Sequence, residues 1–279
     1  MAPLYELLSE HPLTEPALVA SFDGWVDAAG AATAAAAQLA GEGELVARFD
    51  PDQLYDFRSR RPVLDIVDGT LHELSWPELG VRRVKHSGRD LLVLSGAEPD
   101  YRWRSVADAA LELCMRLGVV EWISIGSIPQ AVPHTRPTGL IATESRPGLL
   151  KGDEPRTEGL LRVPAAALSV VEMAVSASGI PSTGFYAQVP HYIGGDYTAA
   201  TIVLLEKLGD HLGVRIPIDG LAEEAASERV RLDELLADRP ETREYVEQLE
   251  SVSDDDDRVP SGDELAAEIE RFLQQNEGG

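Results

Sequence analysis

Over the first 220 residues, short apolar runs end in polar or glycine turns, and patterns of helical spacing often follow. Residues 17–22 are a mostly apolar run, interrupted by Ser21 and closed by Asp23-Gly24, and residues 91–95, ending in Ser95, are a second. Runs without alternation belong to strands buried on both faces. Further strands are predicted over 45–49, 63–67, 71–74, 82–86, 122–126, 140–143 and 183–189, with turns at Asp68-Gly69 and at 77–80. Helices are predicted over the Ala-rich stretch 27–39, over 106–117 with Gly118 as its terminating glycine, over 165–178 with Gly179 after it, and over 198–212. Strands alternating with helices predict an α/β fold with a mostly parallel central sheet covered by helices on both faces.

The remaining residues, 221–279, are a different material. They hold 19 acidic and 6 basic residues and lack Gly and Pro until Pro240. Val230, Leu232, Leu235 and Leu236, then Tyr245, Val246 and Leu249, recur at helical spacing. Asp254 to Asp257 repel one another, which predicts a solvated Asp-rich loop at 251–260. Ser261-Gly262-Asp263-Glu264 is a capping box, and Leu265, Ala266, Ile269, Phe272 and Leu273 follow on one helical face. The chain therefore divides into an α/β core domain, 1–220, and an acidic C-terminal helical extension, 221–279.

Composition narrows the function classes. The 279 residues carry 24 Lys+Arg against 48 Asp+Glu, a net charge of −24, which repels a phosphate backbone; no nucleic-acid partner is expected. No apolar stretch is long enough to cross a bilayer, and Met1 to Glu6 lack the basic start and apolar core of a signal peptide, so no membrane partner and a cytoplasmic location are expected. Cys114 is the single cysteine and falls in the apolar stripe of a predicted helix, as a core thiol would. It excludes a disulfide framework and a multi-cysteine zinc site.

In an α/β sheet, ligands bind beyond the carboxyl ends of the strands. The turns expected there hold Asp23, Trp25 and Asp27; Glu98 and Trp103; Gln130, His134 and Arg136; Glu144; and Gln188, His191 and Tyr192. These eleven residues other than Glu144 are the candidate binding rim. Alternatives stand beside each. Asp23 and Asp27 flank a helix start, where carboxylates cap free N–H groups, so they are caps or ligand contacts. Trp25 and Trp103 are wall residues, interface anchors or stacking platforms. His134 and Arg136 lie in a Pro-bounded loop, either a fixed turn or an anion contact. Glu98 and Glu144 have the chemistry of a general acid and base. Gly194-Gly195-Asp196-Tyr197 forms an anion nest at a helix start or a plain turn capped by Asp196.

The checkable enzyme motifs are missing. There is no P-loop, and the three lysines, Lys85, Lys151 and Lys207, follow no Gly-rich loop. No G-x-G-x-x-G follows a strand, Gly126-Ser127-Ile128-Pro129 lacks the second glycine of a nucleophile elbow, and no metal-ligand spacing stands out. No cofactor and no metal are expected.

The order of several of these turns resembles the proteasome assembly chaperone 2 family in its actinobacterial form. They are Phe22-Asp23-Gly24-Trp25-Val26-Asp27-Ala28, Gly96-Ala97-Glu98-Pro99-Asp100, Gly126-Ser127-Ile128-Pro129, Pro133-His134-Thr135-Arg136-Pro137 and Val189-Pro190-His191-Tyr192. The resemblance implies a fold like that of nucleoside phosphorylases and peptidyl-tRNA hydrolases, and subunits that assemble as homo-oligomers, a trimer by fold analogy. Eukaryotic and archaeal members are non-enzymatic chaperones of proteasome α-subunits; bacterial members are also described as ATP-dependent carboxylate–amine ligases. Unlike archaeal members that dock through a hydrophobic–Tyr–any-residue tail, this chain ends Gln275-Asn276-Glu277-Gly278-Gly279.

The expected function is therefore a non-enzymatic binding or assembly protein whose partners are copies of itself, and proteasome subunits or another protein. Two alternatives remain. One is a small-molecule hydrolase or phosphorylase working at the rim, with Asp23, Glu98, His134, Arg136 and His191 sharing the chemistry. The other is a structural homo-oligomer anchored by Trp25, Trp103 and Trp122.

Overall fold

The computed structural model describes residues 3–10, 12–150, 154–157, 159–237 and 240–255. The chain opens with β1 (Tyr5–Leu7) and β2 (Ala17–Asp23), passes a 3-10 turn at Ala28–Gly30, and continues through α1 (Ala31–Ala40), β3 (Glu44–Phe49) and α2 (Pro51–Leu54). Four strands follow, β4 (Val63–Val67), β5 (Thr70–Ser75), β6 (Leu79–His86) and β7 (Arg89–Ala97). Then come α3 (Trp103–Leu117), β8 (Glu121–Gln130), β9 (Leu140–Glu144), α4 (Ala167–Ala177), β10 (Ser182–Pro190) and α5 (Thr198–Leu212). Helices α6 (Leu221–Ala237) and α7 (Pro240–Asp255) end the described chain. The apolar periodicity located most of these elements. It gave no sign of β1 or α2, which are only three and four residues long.

Eight strands hydrogen-bond in the order β1-β3-β6-β7-β2-β8-β10-β9, and β4 and β5 pair apart from them. The α/β class holds, but the sheet is mixed rather than mostly parallel. β2 runs parallel to both β7 and β8, whereas the β1–β3, β3–β6, β6–β7 and β9–β10 pairs are antiparallel. The cause is local. Ser87-Gly88, with φ of 51° and 84°, joins β6 to β7; a two-residue loop with both φ positive reverses the chain and pairs its flanks antiparallel. An unbroken apolar run reports burial on both faces and is silent on the direction of the neighbours. Every residue from Ala17 to Phe22 is buried, so both faces of β2 are covered.

The chain forms two compact units: Met1–Trp25, Ala36–Ser124 and Ala165–Ser182 in one, Val26–Ala35, Ile125–Pro164 and Thr183–Gly279 in the other. In the first, α3 packs on α4 and α4 on β2. Gly118, with φ 68°, supplies the left-handed cap that ends α3. Cys114 is buried on that helix, its thiol pushed up to about 12 by burial, as a core thiol is. Trp122 is fully buried and so cannot anchor a subunit contact. Its indole Nε1 donates to Ser124 Oγ at 2.9 Å, and Ser124 Oγ donates to Glu172 Oε2 at 2.6 Å.

In the second unit, α6 packs on α5 and α7 on α6. Helix α7 runs on to Asp255, through the start of the segment expected as a loop. The capping box at Ser261 and the apolar positions from Leu265 to Leu273 lie outside the described residues. Val246 and Leu249 are buried as their spacing predicts, but Val230 and Leu235 face solvent. Among the described residues no helix is long and apolar enough to cross a membrane.

Burial raises the pKa of Glu172 above its ordinary value, against the lowering effect of the Ser124 hydrogen bond. A carboxyl raised in the folded state favours folding fully below its unfolded pKa of about 4.3 and loses that contribution as pH rises through the folded value. Glu172→Gln keeps an acceptor for Ser124 and removes the titration. Its melting temperature is expected to rise relative to the parent between pH 5 and pH 8, in paired thermal scans; an offset that does not change with pH contradicts this.

Candidate functional site

In the first unit, the turns that follow β2 and β7 meet, and Glu98 joins them. Its Oε2 accepts the Trp25 N–H at 3.0 Å, and its Oε1 accepts the Ala167 N–H at 2.7 Å. Ala167 opens α4, whose N-cap residue Ala166 offers no side-chain acceptor, so the carboxylate arrives from 69 residues away to cap the helix and meet its dipole. The Glu98 N–H in turn donates to the Asp23 carbonyl at 3.0 Å. Gly24 is required here because a Cβ would overlap the Glu98 carboxylate. Glu98 is thus committed to holding the turn, not poised as an acid or base.

Asp23 is exposed and pairs with Arg60 at 3.3 Å. Trp25 stays 41% exposed and Tyr101 51%. Trp103 is half-buried, and its indole N–H is bonded to the Pro99 carbonyl. Arg102 precedes α3 in the left-handed conformation, φ 61°, with its guanidinium on Gln53. Beneath them, Tyr55 is buried and donates to the Ala97 carbonyl at 2.9 Å.

In the second unit, Asp27 caps α1. Its Oδ1 accepts the Ala32 and Thr33 N–H groups at 2.9 and 3.1 Å, and its Oδ2 accepts the Thr33 hydroxyl. Ser127 Oγ donates to the Ala28 carbonyl at 2.8 Å and ties this start to β8. The capping alternative therefore describes Asp27.

His134 and His191 sit in one cluster with two tyrosines, Tyr192 and Tyr245. The Tyr192 hydroxyl accepts the His134 backbone N–H at 2.8 Å and lies 2.8 Å from His134 Nδ1. His134 Nε2 lies 3.1 Å from Asp233 Oδ1 on α6. His191 Nδ1 lies 3.2 Å from the Gln130 carbonyl, which also accepts the His191 N–H at 3.0 Å. His191 Nε2 faces the Tyr245 hydroxyl of α7 at 3.4 Å. Tyr192 meets the His134, His191 and Tyr245 rings edge to face.

Tyr192–His134–Asp233 has the hydroxyl–imidazole–carboxylate order of a catalytic triad. Burial, however, pushes the Tyr192 phenol up to about 12, away from ionisation. The chain of bonds works as a fastener for α6 and α7. Thr135 Oγ1 bonds to Glu250 of α7, and Arg229 of α6 reaches the Thr135 carbonyl at 3.4 Å. Arg136 is exposed on the same loop. The Gln188 N–H donates to the Gly139 carbonyl at 2.9 Å, and the Gln188 side chain lies where a Cβ on residue 139 would be. Glu144 accepts the Leu149 and Leu150 N–H groups at 2.9 and 3.0 Å and pairs with Arg156, which staples its own loop.

The start of α5, read in the sequence as an anion nest or a plain turn capped by Asp196, is filled from within the chain. Buried Glu228 accepts the Thr198 N–H at 2.8 Å and the Thr198 hydroxyl at 2.7 Å. Asp196 is not the cap; Tyr197 stands in that position. Glu228, Asp233 and Glu250 were invisible in the sequence as site residues, because each is one carboxylate among many in an acidic helix. Only Glu228 is itself buried, and no spacing rule marks it.

The PAC2 family model matches residues 21–236. No curated protein matches the chain. Among solved structures, the Mycobacterium tuberculosis protein Rv2714, of unknown function, is 34% identical over 91% of this chain and 90% of its own, with a TM-score of 0.83. A PAC2 family protein from Streptomyces avermitilis is 35% identical over 83% of this chain and 99% of its own, with a TM-score of 0.73. The Mycobacterium tuberculosis proteasome-assembly chaperone homologue Rv2125 is 31% identical over 82% of this chain and 99% of its own, with a TM-score of 0.75.

Two outcomes follow from this geometry. Glu98→Ala strands two N–H groups and is expected to lower the unfolding free energy by about 2 kcal/mol in urea titrations, with Glu98→Gln recovering part of the loss. No loss for Glu98→Ala would contradict its role. His134→Ala is expected to raise amide exchange across α6 and α7 while α3 and α4 stay protected; uniform protection in both pairs of helices would show that the fastener carries nothing.

Proposed function

The chain belongs to the PAC2 family, and from that footing we propose that it is a binding protein of the assembly-chaperone kind, a homo-oligomer in the cytoplasm that grips proteasome subunits. One solved relative is a proteasome-assembly chaperone homologue, which supports the choice of partner. The observation that carries the proposal is what the rim's polar groups do. Glu98 spends both carboxylate oxygens on backbone N–H groups, Asp27 spends its two on backbone N–H groups and the Thr33 hydroxyl, and His134 is held between Tyr192 and Asp233. Aromatic rings are left toward solvent in the first unit, at Trp25 and Tyr101. Exposed aromatic side chains beside charged neighbours are the anchors of protein interfaces.

One observation favours a second reading, a hydrolase or phosphorylase: the order of Tyr192, His134 and Asp233. It ranks below the first because burial raises the phenol, whereas an activated nucleophile has its pKa lowered.

Mixing the full chain with purified proteasome α-subunits is expected to give a complex whose mass light scattering resolves. Trp25→Ala is expected to weaken it about tenfold, the loss of about 1.4 kcal/mol that a modest aromatic anchor supplies. No complex with the full chain overturns the choice of partner, and an unchanged affinity in the variant moves the contact away from Trp25.

A further inference from the structure

β4 and β5 hydrogen-bond only with each other, and every residue of both strands is exposed. A two-stranded hairpin is marginal in water by itself. Asp68-Gly69, with φ of 49° and 78°, is a two-residue turn with both angles positive, and it sets Val67 opposite Thr70. Counting back from the turn, Ile66 faces Leu71 and Asp65 faces Glu73. The register slips by one residue between these two pairs, and the residue left over is His72.

In a regular strand His72 and Glu73 would point to opposite faces. The bulge turns both to the face of Asp65. There a His72 ring nitrogen, an Asp65 carboxylate oxygen and a Glu73 carboxylate oxygen all lie within 4.8 Å of one another. Charge makes this face unfavourable by itself. Asp65 and Glu73 stand directly opposite across the two strands, and like charges so placed destabilise a sheet. Among the described residues, no Lys or Arg pairs with either carboxylate. The hairpin therefore sets two uncompensated carboxylates and an imidazole on one open face.

We propose that Asp65, His72 and Glu73 bind a divalent transition-metal ion of the zinc class, and that the ion ties β4 to β5. The donor set selects the class. Ca²⁺ and Mg²⁺ take oxygen ligands, whereas Zn²⁺ accepts imidazole nitrogen and carboxylate oxygen together. At bond lengths of about 2.0–2.2 Å, the ligand atoms of a tetrahedral site are about 3.4 Å apart, so donors within 4.8 Å have at most about 1.4 Å to close. Exposed side chains make such a change by rotamer motion. Three protein ligands leave the fourth position to water. The ion neutralises the opposed carboxylates and joins a ligand of β4 to two of β5. In the sequence, His72 and Glu73 adjoin and Asp65 lies seven residues before His72, which matches no ligand motif; the slip in register makes the site.

The test is isothermal titration of ZnCl₂ into the chelator-treated full chain at micromolar concentration. One ion per chain is expected. His72→Ala and Asp65→Asn are each expected to weaken its binding at least about tenfold, since loss of an outer partner of a metal ligand already costs that much. His86→Ala, a histidine outside the trio, is expected to match the parent, and MgCl₂ to bind more weakly than ZnCl₂. Circular dichroism monitors folding of each variant. Amide exchange over residues 63–75 is expected to slow with ZnCl₂ in the parent and not in Asp65→Asn. A parent that binds no zinc, or an affinity that His72→Ala leaves unchanged, overturns the site. Tighter binding of magnesium overturns the class of ion. Zinc binding that leaves hairpin exchange unchanged in the parent, or that survives intact in Asp65→Asn, overturns the tie between the strands.

Discussion

Three helix starts in this protein, those of α1, α4 and α5, are held by carboxylates that lie outside the cap position. The first N–H groups of a helix have no intrahelical partner and must find an acceptor or stay wet. Neither Ala166 nor Tyr197 offers a side-chain cap to the helix it precedes. Glu98 fills the gap for α4 and Glu228 for α5, while Asp27 reaches past the 3-10 turn to cap α1. Each bond joins residues distant in sequence or spans an irregular turn, so each also fixes how a turn sits on its unit. The excess of acids, unfavourable as a net charge, is in these places the material that positions the strand-end loops.

The same constraint shapes what the loops have left to offer. A carboxylate whose two oxygens receive backbone N–H groups is a poor proton shuttle. A phenol driven upward by burial is a poor nucleophile. Glu98, Asp27 and His134, which looked chemical in the sequence, hold turns and helices in place. The C-terminal helices belong to this economy of fastening: Glu228, Asp233, Tyr245 and Glu250 dock on the His134 and His191 loops and the start of α5. Among the described residues, Val230 and Leu235 of α6 face outward, while Glu228 and Asp233 of the same helix bond to α5 and to His134.

Much of the fold was legible because burial writes itself into composition. Residues 17–22 and 91–95 could only be buried strands, and the helix over 198–212 is found at those bounds. The capping of α1 by Asp27 was legible as one of two alternatives. The mixed sheet was not, because strand direction is set by connections such as Ser87-Gly88 and not by the apolar runs themselves. The grouping of His134, His191 and Tyr192 was suggested by their common place after strands. Their partners Asp233, Tyr245 and Glu250 were hidden, because nothing in a helix rich in acids distinguishes the one that meets an imidazole.

The amino-acid sequence by itself settled the α/β class, the strands that must lie inside, the turns that carry the polar residues, and the acidic character of the C-terminal helices. These are consequences of local pattern, which each segment carries alone. Only the tertiary structure decided that Glu98 caps α4, that Glu228 fills the start of α5, and that His134 joins Tyr192 to Asp233. Those depend on distances between residues far apart in the chain, which are not encoded at the position where their effect appears.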